Sequence, residues 1–332
     1  MIVPPGIAAL PRFGLLDGAS PIAPLRRFSA ALGGGAEVWI KREDLLPLAF
    51  GGNKLRNLEF LVGAALAEGA DTLITSGRRW SNHCRLTAAA GARAGLAVHL
   101  VLTGPPSALG DEGPNQRLDE LLGATIHVTA TEDRAERAAL VETVAAQERA
   151  AGRRPFVIGV GGTGPVGAAG QVLAGLEAAD QLAGAGIGHA TVVLPSATGG
   201  TQAGVLTGLA LASPPARSVI GCAVAAPSDE LRPTIDSILD GLEPLVGIRV
   251  PPDSVVIDDD QLGAGYGRPT AAADDATRLL ARTEGILVDP IYTAKALAGL
   301  IARVRDGRLG GPIMFWHAGG GPGLFETLAT PG

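Results

Sequence analysis

"FGGNKLRNLEF" (residues 50–60) sets a lysine behind two glycines and an asparagine, at the head of a run with helical periodicity. The preceding "AEVWIKRED" reads as a strand, and "NKLRNLEFLVGAALAEG" reads as a helix closing at glycine. Lys54 therefore stands on a glycine-lined strand-to-helix joint. Lysine is scarce in this chain: Lys41, Lys54 and Lys295 are the only ones, and arginine supplies the other positive charges. A GC-rich coding bias would also thin out lysine. Even so, each lysine calls for its own account, because lysine, unlike arginine, can deprotonate and form a Schiff base.

Outward from this joint, strand-like and Ala/Leu-rich helical segments alternate, the pattern of an α/β protein with parallel sheet covered on both faces. "DTLITSG", the helix "SNHCRLTAAAGARAG", "AVHLVLTG", the helix "NQRLDELLG" and "ATIHVTA" form an α/β unit from about Asn53 to Val160. A second series follows, with the helix "GPVGAAGQVLAGLEAADQLAG", "HATVVLPSA", the helix "TQAGVLTGLALA", "SVIGCAVAA" and "GPIMFWHAGGG". The stretch from Gly104 to Pro114 reads as a loop within the first unit. A length of 332 residues with 46% hydrophobic and 18% charged residues fits two domains or one large α/β unit.

Net charge is −6 without blocks of like charge, which argues against nucleic acid or an anionic membrane surface as partner. "MIVPPGIAAL" lacks a basic region followed by a long apolar stretch, and a cytoplasmic, membrane-free protein is expected. Cys84 and Cys222 are too few for a disulfide framework and lack metal-ligand spacing, so reduced thiols and no metal are expected.

Three glycine clusters follow strand-like runs: "SGRRWSN" (76–82), "PSATGGTQAG" (195–204) and "HAGGGPG" (317–323). Strand C-terminal ends are where open α/β sheets bind ligands, and a glycine turn into a helix offers N–H groups to an anion. In the middle cluster, Gly199 and Gly200 allow close approach, Ser196, Thr198 and Thr201 bring hydroxyls, and the next helix adds its positive end. A plain βα turn with a capped helix would look much the same. "GVGGTG" (159–164) fits the dinucleotide pattern, but the acidic partner at the end of the following strand is missing. P-loop and nucleophile-elbow motifs are absent. A reactive lysine, a phosphate cradle and a second cradle at Ser81 and Asn82 describe a site for a phosphate-bearing aldehyde, and pyridoxal 5′-phosphate (PLP) meets that description.

The ordered set "SPIAPL", "IKREDLLPLAFGGNKLRNLE", "SNHCRLTAAAGARAGL", "VGGTGPVGAAG", "SATGGTQAGVLTGL", "GYGRPT", "DPIYTAKALAGL" and "FWHAGGGPGLF" covers almost the whole chain. It resembles the D-cysteine desulfhydrase and 1-aminocyclopropane-1-carboxylate (ACC) deaminase family of PLP enzymes, of tryptophan-synthase-β-like fold (fold type II). The resemblance implies two open twisted α/β domains with PLP in the interdomain cleft. The large domain would comprise residues 1–52 and 165–332, and the small one 53–164. It further implies that Lys54 carries PLP, that Asn53 and Asn82 lie beside it with Asn82 donating to the ring hydroxyl, and that Thr198, Gly199, Gly200, Thr201 and Gln202 hold the phosphate. Thr293 would face the pyridine nitrogen. Ser81, Asn82, His83 and Trp80 would meet the substrate, with Ser81 taking part in proton transfer. Tyr266 and Tyr292, the chain's only tyrosines, would line the substrate side as acids.

The implied reaction is α,β-elimination from a small amino acid, D-cysteine giving pyruvate, ammonia and sulfide, by a homodimer. Thr293 and His83 replace the glutamate and glutamine of ACC deaminases, so the chain leans towards desulfhydrases. Two departures stand out: Arg78, Arg79 and Trp80 precede the Ser-Asn pair where the family has glutamine just before it, and Ala318 replaces the threonine of "HTGG". An arginine there could bind a second acidic group on a larger substrate. The alternatives are ACC ring opening, a carbon–sulfur lyase for a bulkier cysteine conjugate, a nicotinamide oxidoreductase using "GVGGTG", and a non-catalytic PLP binder.

Overall fold

The computed structural model describes residues 2–33, 35–105, 112–212 and 218–328. In chain order the first part runs α1 (Pro5–Ala8), β1 (Ile22–Pro24), α2 (Arg26–Leu32), β2 (Glu37–Arg42), α3 (Lys54–Ala67), β3 (Thr72–Arg78), α4 (Asn82–Ala94), β4 (Ala97–Thr103), α5 (Pro114–Leu121), β5 (Thr125–Thr129), α6 (Arg134–Ala150) and β6 (Pro155–Val157). It continues α7 (Pro165–Gly184), β7 (Thr191–Ser196), α8 (Gly200–Leu211), β8 (Val219–Ala223), α9 (Ser228–Val246), β9 (Val255–Asp258), α10 (Ala271–Glu284), α11 (Thr293–Arg305), β10 (Pro312–His317) and α12 (Gly323–Leu328).

The strands form two sheets. One has the order β1-β2-β10-β7-β8-β9, parallel except for the antiparallel β1–β2 pair; the other, β5-β4-β3-β6, is wholly parallel. Strands β3, β7, β8 and β10 are buried along nearly their whole length, as expected where helices cover both faces. Helix ends follow local chemistry. Ser81 Oγ accepts the Cys84 N–H at the start of α4 (3.2 Å), and Gly95 ends that helix in the left-handed region.

The sequence reading passed over α2, α6, α9, β9, α10 and α11. Helix α6 buries only Val141, Val144 and Ala145, so its apolar stripe is faint, and α9 contains Pro233 and Pro244, which argue against a helix.

Glycine sets how α3, α7 and α8 stack. A Cβ on Gly170 of α7 would lie 1.9 Å from the Arg56 carbonyl oxygen of α3, and one on Gly208 of α8 would lie 2.2 Å from that of Val172 of α7. The helices touch backbone to backbone, which carries the head of α3 up to the head of α8. Gln171 of α7 reinforces this by donating to Asn53 O (2.8 Å) and Asn57 Oδ1 (2.6 Å).

A buried ionic cluster locks α3 to the larger sheet. Arg56 donates to Glu43 (2.6 and 2.8 Å) and Glu177 (2.8 and 3.1 Å), and Lys41 pairs with Glu177 while donating to Gln181 (2.7 Å) and Ser20 O (2.7 Å). Burial pushes the Glu43 carboxyl up, but the Arg56 guanidinium outweighs it and holds the group below its ordinary range. Removing one partner leaves uncompensated buried charge. Arg56→Ala is therefore expected to destabilise the fold by about 3–5 kcal/mol in denaturant unfolding, and pairing Arg56→Met with Glu43→Gln should recover part of the loss.

Candidate active site

The chain reaches Lys54 through a strained turn. Leu48, Ala49 and Phe50 have φ of 69°, 43° and 66°, and Gly51 and Gly52 follow at 62° and 130°. Non-glycine residues at positive φ persist only where surroundings enforce them. Here Arg85, fully buried in α4, donates to Ala49 O (3.0 Å) and Gly51 O (3.2 Å), while Gly52 N–H and Asn53 N–H donate to Glu43 O (2.9 Å) and Ala318 O (3.0 Å). Lys54 then opens α3 with its side chain in a cleft of about 860 Å³, open mouth included. That size is typical of small-molecule sites. Among the described residues Lys54 has no hydrogen-bond or ion-pair partner, and burial lowers its pKa to about 8.

The turn between β7 and α8 forms another wall. Gly199 is left-handed (φ 78°), and a Cβ there would lie 2.6 Å from Ile235 Cγ1. The α8 ladder begins with Ala203 N–H donating to Gly199 O (2.9 Å), so the N–H groups of Gly200, Thr201 and Gln202 precede it. Ser196 Oγ is buried without a partner. Thr198 Oγ1 accepts from Thr163 (2.6 Å), and Thr201 Oγ1 accepts from Asn53 (2.8 Å), tying this turn to the head of α3. The Gln202 side chain points elsewhere: it donates to Val256 O (2.7 Å) and packs on Gly221, so only its main chain is available to the turn.

At the head of α4, Ser81 and Asn82 line the cleft. Asn82 Oδ1 accepts from Arg85 (2.7 Å) and Asn115 (3.3 Å), leaving its NH2 group for a ligand. His83 contacts Thr75 Oγ1 through Nε2 (3.0 Å), and burial, then the Lys54 charge, lowers its pKa to about 3. It is a neutral wall residue.

Across from these, Tyr266 and Tyr292 meet hydroxyl to hydroxyl. Burial raises Tyr266 to about 12 and Tyr292 well above its ordinary value, so both phenols keep their protons at neutral pH. Asp289 orients this corner by accepting from the N–H groups of Ile291 (3.1 Å), Tyr292 (2.8 Å) and Thr293 (3.0 Å). Thr293 Oγ1 donates to Gly319 O (3.1 Å), which leaves its oxygen lone pairs toward the cleft it lines. Trp80, expected against the substrate, instead stacks edge-on behind Tyr266 (centroids 5.9 Å apart) and against Gly267, and shapes the wall indirectly. Gly200 begins α8 without itself lining the cleft.

Sequence reasoning missed Arg85, Asn115, Thr163, Asp289 and Arg137. Asp289 had a local signal, an aspartate ahead of a helix head in "DPIYT"; the others sit on helices or loops whose partners are distant in sequence. "GVGGTG" is accounted for structurally. Its Gly161 packs on Thr198, and the next strand, β7, ends at Ser196 without a carboxylate, so it carries no dinucleotide site of the usual kind. No cluster of His, Cys, Asp or Glu able to hold a metal occurs among the described residues.

The cleft fits PLP on its own chemistry. It has a solitary amine at about 8, a left-handed glycine turn at a helix head, an orphaned buried serine hydroxyl and an oriented amide.

Comparison with known proteins agrees. The chain is 40% identical over 324 residues to D-cysteine desulfhydrase of Salmonella choleraesuis (96% of this chain, 97% of the relative). It is 39% identical over 328 residues to that of Yersinia pestis strain Pestoides F (96% of each). A solved ACC deaminase homologue superposes with a TM-score of 0.87 at 34% identity, covering 96% of this chain and 94% of that one. A solved threonine deaminase, at 22% identity and a TM-score of 0.64, covers 91% of this chain and 92% of its own and shares the fold. The profile of the family described as "Pyridoxal-phosphate dependent enzyme" matches residues 14–319, and the chain belongs to that family of enzymes.

Proposed function

We propose that this enzyme is a lyase that removes the β-substituent of a small amino acid, most like D-cysteine, releasing pyruvate, ammonia and sulfide. The observation that carries the reading is the unpartnered Lys54 amine at about 8, facing a cleft whose polar corner is a neutral threonine hydroxyl. Residues 53–164 would form the small domain and 1–52 with 165–332 the large one. That each sheet draws its strands from one side of this division supports it. We also propose, by resemblance, a cytoplasmic homodimer.

When bound, PLP supplies an electron-accepting ring that stabilises negative charge at the substrate Cα. Lys54 would carry it, the N–H groups at the head of α8 with Ser196 and Thr198 would hold its phosphate, Asn82 NH2 its ring hydroxyl, and Thr293 its ring nitrogen. The Lys54 Nζ, its pKa lowered to about 8 by burial, would take the Cα proton. Ser81 and the α4 head would bind the substrate carboxylate. The Tyr292 phenol, held protonated beside Tyr266, would give its proton to the departing sulfur.

ACC ring opening is the second reading, favoured by the structural likeness to an ACC deaminase homologue. The deciding assay offers D-cysteine, L-cysteine, D-serine and ACC to purified holoenzyme and follows pyruvate, 2-oxobutyrate and sulfide. Sulfide with pyruvate from D-cysteine is expected; 2-oxobutyrate from ACC as the main product would replace this reading with the other.

Lys54→Ala should lower turnover by about 10²–10⁴-fold or more, and borohydride should no longer fix cofactor to the chain. Full turnover in that variant would sink the assignment. In cofactor-free enzyme, amine labelling of Lys54 should rise with pH around a midpoint of about 8, because its lowered pKa leaves the amine neutral above that pH. A midpoint near 10.5 would show that burial does not tune it.

A further inference from the structure

We infer that the cleft contains an anion subsite formed by Arg78 and Arg137, and that the substrate's β-substituent ends in a carboxylate. This rests on the elimination reading above and narrows its substrate class. The two arginines come from different elements, the end of β3 and the first half of α6, yet both line the cleft. Both lie within electrostatic reach of Tyr266, on elements that belong to or pack on the smaller sheet.

Their charges are poorly answered by the protein. Arg137 makes no ion pair among the described residues, and Arg78 meets only Glu132 (3.2 Å), whose side chain is 66% exposed. The atom that approaches Glu132 is Arg78 Nη1, which is buried and falls short of hydrogen-bond geometry in that contact. Burial, then the charges of Arg78 and Arg134, lowers the Arg137 pKa, so a positive charge is held there at a disadvantage that an anion would relieve. Arg85, the cation at the head of α4, is fully engaged by Asn82, Asn115 and two main-chain carbonyls and offers no such site. Paired guanidinium groups suit a carboxylate, which accepts two parallel N–H bonds. The α-carboxylate has its own place at Ser81, so the arginines answer a second one.

The reaction would be R–S–CH2–CH(NH3⁺)–COO⁻ plus water giving R–SH, pyruvate and NH4⁺, with R bearing the distal carboxylate. The Cα–H, Cβ–S and Cα–N bonds break: sulfur leaves with the electron pair and gains a proton, Cβ gains a proton to become the methyl of pyruvate, and water supplies the keto oxygen as nitrogen departs as ammonium.

The test compares isosteric substrates, S-carboxymethylcysteine and S-carbamoylmethylcysteine, as D and L forms, with D-cysteine alongside. Holoenzyme kcat/KM and calorimetric Kd are measured for wild type, Arg137→Gln, Arg137→Lys and Arg78→Gln. A preference for the carboxylate over the amide of about tenfold or more is expected, falling towards parity in Arg137→Gln and partly kept in Arg137→Lys. Turnover of D-cysteine with no carboxylate preference overturns the subsite and leaves the elimination reading standing. Absence of elimination from every compound overturns that reading, and equal Kd values for the pair would then overturn the subsite as well. Equal losses for carboxylate and amide in Arg137→Gln would assign the arginine to the α-carboxylate and also overturn it.

Discussion

The guanidinium of Arg56, buried and shared between the buried Glu43 and the largely buried Glu177, is the constraint on which the rest of this structure depends. Its three elements do not otherwise have a reason to agree on position: the turn after β2, the first turns of α3, and the middle of α7. A charge that can be satisfied in only one arrangement fixes all three together. Lys41 extends the cluster to the residues before β1 through Ser20 O. Lys54 is two residues from this clamp, so the accuracy of its placement is inherited from buried electrostatics rather than from contacts in the cleft.

A second tier of support surrounds the cleft. Arg85 joins the turn before Lys54 to the amide of Asn82, and Asp289 gathers three N–H groups beneath Tyr292 and Thr293. Both are charged, buried and given over entirely to orientation. Desolvation shifts both against their charged forms, Arg85 down to about 10 and Asp289 up. Groups that would add little to stability alone hold the reactive groups in register.

The fold class was legible because burial on both sheet faces leaves apolar runs, and because glycine turns at strand ends cannot be disguised. Lys54, Ser81, Asn82 and the 198–202 turn were legible for the same reason: each stands next to a glycine or a helix start. What the sequence did not reveal depends on distance along the chain. Arg137 reaches the cleft from a helix with a faint apolar stripe, and Arg85 looks like any helical arginine until Asn115 and the turn at 49–51 are brought to it. Lys41 and Lys295 were conspicuous by scarcity, yet their roles are structural: one completes the ionic clamp, and the other donates to Leu262 O and Gly265 O beside Tyr266.

The run of five residues with positive φ, from Leu48 to Gly52, has a consequence for how the family can vary. Backbone of that hand cannot merge into a right-handed helix, so it acts as a phase stop that fixes where the winding of α3 begins. A helix advances about 100° per residue. One residue gained or lost in the stop would swing the amine like the hand of a clock, out of the cleft and into the core. A length change at this joint should therefore cost more than a substitution at its exposed tip, Phe50, where the positive φ itself favours glycine or asparagine.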